Sequence, residues 1–276
     1  MSARRLFAII VLIFGFTSAR AEEPSKGGTP TPSELALEIN ALRTLYCLKA
    51  TSEQMDAVLK LAKETAGPAR KRRKSKLSAD YRHLMEQLRE ALAEDDEERV
   101  ESLEDELEEK TISESPEIDD SLAITDSARK HAPKLLKTLR AAQVAMFLGM
   151  HAEQIADPGE RLQEALAKVR AWTLADWQDK REALGEEIAL LVAGVDREKF
   201  DKVNEAVIDL LARARTMKDD EHEKQRSELV LAAKEIVGEA GPTEVLRHYM
   251  EFELARMLSN PRLEAALQAR IEQDTR

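Results

Sequence analysis

The sequence predicts an all-α protein, built as a helical-hairpin N-terminal unit followed by an antiparallel helical bundle. Composition is the first of three observations behind that prediction. Only 4% of residues are aromatic while 34% are charged, the balance of helical bundles and coiled coils rather than of sheet proteins. Second, apolar residues recur at spacings of three and four, as in Tyr81, Leu84, Leu88 and Leu92, which places them on one face of a helix. Third, no run of alternating β-branched residues is long enough to make a strand.

Arg4 and Arg5 precede an apolar run over residues 6–16 that is too short to span a bilayer. Ala19 and Ala21 follow at the positions a signal peptidase reads. Residues 1–21 therefore read as an export signal cleaved after Ala21, with an uncleaved N-terminal anchor as the alternative. Residues 22–32 hold Pro24, Pro30, Pro32 and a Gly-Gly pair and read as a tether. The N-terminal helical unit spans 33–112. Ser33 caps its first helix, which runs to about Leu48. Thr51 opens the second, with Gln54 three residues on, and Gly67-Pro68 closes it. From Ser78 the leucine stripe breaks at Asp95-Asp96 and resumes at Val100, Leu103 and Leu107. Asp95 with Glu98 fits a capping box, so two helices fold back as a hairpin.

Residues 113–125 form an acidic linker around Pro116, and 126–276 form the C-terminal bundle. Helical segments follow Pro133 there, over 134–139 and 141–155. Asp157-Pro158-Gly159-Glu160 starts the next helix with an N-cap acid and a proline at the first helical position. Thr173 with Asp176 starts another that stops at Gly194, and Asp196 caps one through Arg215. Asp220 leads a helix to Gly238, Pro242 one to Leu258, and Asn260-Pro261 the last. Short connections of this kind suit an antiparallel bundle.

Formal charge is −11, and loss of Arg4, Arg5 and Arg20 with the signal takes it to −14. Such a chain does not have nucleic acid or an anionic membrane as its main partner, because phosphate binding is driven by cations. No Asn-x-Ser/Thr sequon is present, which favours a bacterial periplasm or secretion over a eukaryotic route. Cys47 is the single cysteine, so no intramolecular disulfide exists. It is either a buried thiol or a disulfide to a second copy.

Nothing matches a zincin, a nucleophile elbow, a P-loop or a dinucleotide fingerprint, so no catalytic residue, cofactor or metal ligand is assigned. His83 with Glu86, and His248 with Glu244 and Glu251, share helix faces, but glutamates are abundant enough to make such pairs by chance. His222 sits in an acidic helix start, and His151 edges an apolar run. Trp172 and Trp177 bracket the Thr173 turn as anchors of the C-terminal core. Met146, Phe147 and Met150 follow helical spacing, as core or as an adaptable groove. The basic run Arg70, Lys71, Arg72, Arg73 and Lys74 is the candidate contact for an anionic protein partner.

Two segments share a pattern: Thr51 with Gln54 before one apolar helix, and Leu139 with Gln143 before another, 89 residues separating the glutamines. This layout, over residues 45–149, resembles the LTxxQ family of small periplasmic helical proteins, which includes Spy-type chaperones and CpxP-type envelope-stress regulators. Ala50 stands where the first motif has leucine, and Arg140 where the second has threonine. The resemblance implies two motifs flanking a helical hairpin, a homodimer, and binding of unfolded clients or a membrane sensor. The expected function is that of an exported non-enzymatic binding protein. The alternative is a structural scaffold assembling through apolar helix faces.

Overall fold

The computed structural model describes residues 30–68, 77–116, 118, 120, 122–152, 155–238 and 240–274, with the backbone of 21–22 and 72–73. The chain is all-α, with twelve helices among the described residues. Their one departure is a two-residue antiparallel pairing of Ala21–Glu22 with Arg72–Arg73. The predicted signal peptide and most of the tether lie outside the described residues. No described helix is long and apolar enough to cross a membrane.

Two compact units divide the chain. One takes in the helices up to Met150 together with the segment from Leu254 onward; the other takes in His151–Glu253. At the centre of the first lies α1 (Pro32–Cys47), with Leu35, Leu37, Ile39, Leu42 and Leu45 all buried. Its cap is Thr31 rather than Ser33. Pro32 occupies the first helical turn, where a missing N–H costs nothing, and Thr31 and Glu34 close a capping box. A helix buried around most of its circumference needs neighbours on several sides. The cover is α3 (Ala79–Glu94), α12 (Leu263–Asp274) and α6 (Ala141–Met150), while α2 (Ser52–Thr65) packs in turn on α12 and on α5 (Asp126–Leu136).

α3 and α4 (Glu97–Glu114) form the expected hairpin. Asp95 turns the chain at φ 58° and Asp96, not Asp95, caps α4 by accepting from the Arg99 N–H. At the open end the Tyr81 hydroxyl meets Thr111 Oγ1 at 2.9 Å and Ser78 bonds Glu114 at 3.1 Å, so the helices run antiparallel. α5 starts before Pro133 rather than after it, because Thr125 caps it through the Ala128 N–H.

Grouping 126–276 as one bundle differs from what the contacts show. α5, α6 and α12 pack with the N-terminal helices instead. α12 supplies Leu263, Ala266 and Leu267 to that core, each at most 1% exposed. Polar groups anchor it as well: Asn260 Nδ2 donates to Leu37 O at 2.7 Å, and Arg270 Nη1 to Leu92 O at 2.9 Å. The buried Glu38 carboxylate is met by Arg262 and, at 3.3 Å, by Arg89, so this interior charge is paired.

The second unit holds α7 (Pro158–Lys168), a 3-10 turn at Val169–Ala171, α8 (Leu174–Ala193), α9 (Arg197–Thr216), α10 (Asp219–Val237) and the start of α11 (Pro242–Leu258). Leu162, Leu166, Val169, Ile188, Val192, Val207 and Leu211 centre its core. Asp157, Thr173 and Asp196 cap their helices as read from the sequence. Two glycines sit where a side chain would meet a neighbour. A Cβ on Gly185 would overlap Asn204, so α8 and α9 approach closely there. Gly194 turns the chain at φ +57°, where a Cβ would also press on His248 at 3.0 Å.

Candidate functional site

Both motif segments are helix starts in the first unit. α1 ends at Cys47, and Lys49 takes a left-handed conformation (φ 42°) while the Ala50 N–H returns to Leu45 O at 3.3 Å. The chain then turns straight into α2. There Thr51 Oγ1 accepts from the Gln54 N–H and Gln54 Oε1 accepts from the Thr51 N–H at 2.9 Å, a full capping box. The second turn follows α5, where the half-buried Leu139 bonds back to Leu136 O. Arg140 has no hydroxyl, so only half of the box survives: its N–H donates to Gln143 Oε1 at 2.9 Å.

The fold brings these two starts together. Gln54 Nε2 donates to Gln143 Oε1 at 3.1 Å and Gln143 Nε2 donates to Gln54 Oε1 at 2.9 Å. Each amide also reaches the opposite turn's backbone. Gln143 Nε2 also lies 2.9 and 3.1 Å from Leu48 O and Lys49 O, its two hydrogens shared among these and Gln54 Oε1, and Gln54 Nε2 donates to Thr138 O at 3.2 Å. The arrangement is pseudo-symmetric, since Lys49 pairs with Thr138, Thr51 with Arg140 and Gln54 with Gln143 at one constant offset of 89 positions. Gln143 is only 6% exposed. The side-chain groups that make the clasp are two amides and the Thr51 hydroxyl, joined by backbone N–H and C=O groups. Its chemistry is positional: it fixes the entry angles of α2 and α6. The mutual bond was missed from sequence, although the equal offset of the two motifs was there to suggest it.

Other candidates fall elsewhere. Arg70, Lys71 and Lys74 lie outside the described residues, as do the side chains of Arg72 and Arg73. Trp177 is buried in the second unit's core, 6.5 Å from Trp172, with Arg181 and Arg215 over its ring at 5.6 and 5.4 Å. His83 is exposed, and its neighbour Glu86 pairs with Arg82 instead. His248 is buried, with Nδ1 donating to Leu191 O and Nε2 accepting from Arg247. His151 packs beside the Tyr249 ring. Among the described residues no three His, Cys, Asp or Glu side chains are grouped to hold a metal ion.

Cys47 is 1% exposed on α1. Burial, reinforced by the nearby Glu104 carboxylate, pushes its thiol up to about 12, and a disulfide to a second copy is closed off by the same burial. Thiolate is the reactive form. Native protein at about pH 8 is therefore expected to stay unmodified by an aromatic disulfide reagent and to react fully in denaturant. Labelling of the native state at the rate of a free thiol would contradict this.

With the geometry described, the comparisons add no relative: no protein-family model, curated protein or solved structure matches the chain.

Proposed function

We propose that the chain is an exported, non-enzymatic helical binding protein, acting as a periplasmic chaperone or an envelope-stress sensor module of the LTxxQ type. The observation that supports this reading is the reciprocal Gln54–Gln143 bond. A threonine-glutamine helix start arises easily by chance, because its local chemistry is that of any capping box. Two glutamine helix starts, one with the full box and one with half of it, whose glutamines bond each other across 89 positions are a more specific arrangement and give the glutamine a reason to occur twice.

The reading is tested by aggregation suppression. Protein beginning at Glu22 is mixed with a chemically unfolded client and followed by light scattering at low and high salt. Suppression at near-stoichiometric amounts is expected, and its loss at high salt would assign the binding to charge. No suppression at either salt would overturn the chaperone reading and leave the sensor-partner role or a scaffold assembling through apolar helix faces.

A further inference from the structure

Charge is segregated along this acidic chain. Between Asp126 and Glu153 there is no acidic residue, whereas Arg129, Lys130, Lys134, Lys137 and Arg140 all lie within that interval. Lys130, Lys134 and Lys137 recur at helical spacing along α5 and its C-cap, which sets them on one face. Lys130, Lys134, Lys137 and Arg140 are exposed, and none of these four side chains has an ion pair among the described residues. Elsewhere basic side chains are commonly matched, as in Arg161 with Glu187 and Lys202 with Glu198.

The chain runs directly from this cationic face into α6, which carries no charged residue at all. Gln143 and Phe147 bury the inner side of α6, while Ala141, Ala142, Ala145, Met146 and Gly149 are exposed on the other. Met146 is 45% exposed, and a Cβ built on Gly149 would meet nothing within 4 Å. An apolar helical face thus lies open beside unpaired cations, and the clasp at Gln143 holds it in place.

We propose that the exposed faces of α5 and α6 form a docking surface for an acidic amphipathic helical segment of a partner or client protein. This rests on the reading of the chain as a binding protein and names the chemistry of what it binds. Charge complementarity selects the occupant. Four unpaired cations call for carboxylates, and a partner helix can lay its apolar side on the α6 stripe while its acids reach Lys134, Lys137 and Arg140. Small residues at 141, 145 and 149 let a helix backbone come close, and Met146 adapts to its side chains. A bilayer is the poorer match, since surface-seeking helices insert bulky Trp, Phe or Leu and this face offers alanine, glycine and one methionine.

The test uses a fluorescein-labelled helical peptide with a glutamate face and a leucine face, and a control with lysine in place of every glutamate, read by anisotropy against the full chain. The acidic peptide is expected to bind and the lysine peptide not to. Binding should weaken at least about tenfold in K134E/K137E and in A145K. Both variants change exposed side chains only, and unchanged far-UV circular dichroism and melting would show that they fold. Wild-type affinity in both variants, equal binding of the two peptides, or no binding at all would overturn the proposal. So would a dimer that K134E/K137E converts to monomer, because the face would then belong to a second copy. If the variants still suppress client aggregation, this surface is excluded while the chaperone reading stands.

Discussion

Deletion of residues 260–276 is expected to unfold the first unit while leaving the second folded. Leu263 and Leu267 are fully buried against the N-terminal helices, and burying a leucine contributes about 1.5–3 kcal/mol. The cut also removes the Asn260 bond to Leu37 O, the Arg270 bond to Leu92 O and the Arg262 partner of Glu38. Buried groups left without partners cost about 1–3 kcal/mol each. Even after partial relaxation the loss exceeds about 5 kcal/mol, which is the lower end of a typical domain's whole stability. The aromatic residues separate the two units. Trp172 and Trp177 both belong to the second, so tryptophan fluorescence in urea should keep its transition while far-UV circular dichroism shows the N-terminal helices already lost. A truncated chain with two intact transitions would mean that α12 is a dispensable tail and that residues 33–112 stand alone.

That prediction concerns a relation that sequence could not display. Helix starts and stops are local, and they were legible because caps and breakers act within a few residues: Ser78, Thr51, Asp157, Thr173 and Asp196 all cap where their spacing to the apolar stripe says they should. The small misses have local causes too. At Thr31 a proline after the cap outweighed Ser33, and at Asp95 the left-handed turn moved the cap on to Asp96. Which helices pack together is a different kind of fact. The apolar stripe of α12 fits a neighbour in its own half of the sequence as well as one far away, and only shape and the pairing of Glu38 with Arg262 decide. The candidate site shows the same division. Each glutamine was readable as a helix-start residue, but their mutual bond depends on how α1 and α5 end. The acid-free interval over 127–152 is a local feature that the overall charge of −11 averages away.

The clasp yields the second large effect. Replacing Gln143 by leucine keeps the volume roughly constant and removes the amide. Leu48 O, the Arg140 N–H and the Gln54 side chain then lose partners in a place where Gln143 itself is 6% exposed. With about 1–3 kcal/mol for each buried group left unsatisfied, and solvent reaching some of them, Gln143→Leu is expected to cost about 3 kcal/mol in urea unfolding. Thr51→Ala removes one capping bond at a half-buried turn and should cost about 1 kcal/mol. The decisive comparison is the cycle with Gln54→Leu. If the two amides satisfy each other, the second substitution removes a group already stranded by the first, and the double variant must lose less than the sum of the singles by about 1 kcal/mol or more. If the losses instead add to within about 0.5 kcal/mol, each glutamine serves only its own turn, the reciprocal bond has no energetic content, and the resemblance on which the proposed function leans loses its support.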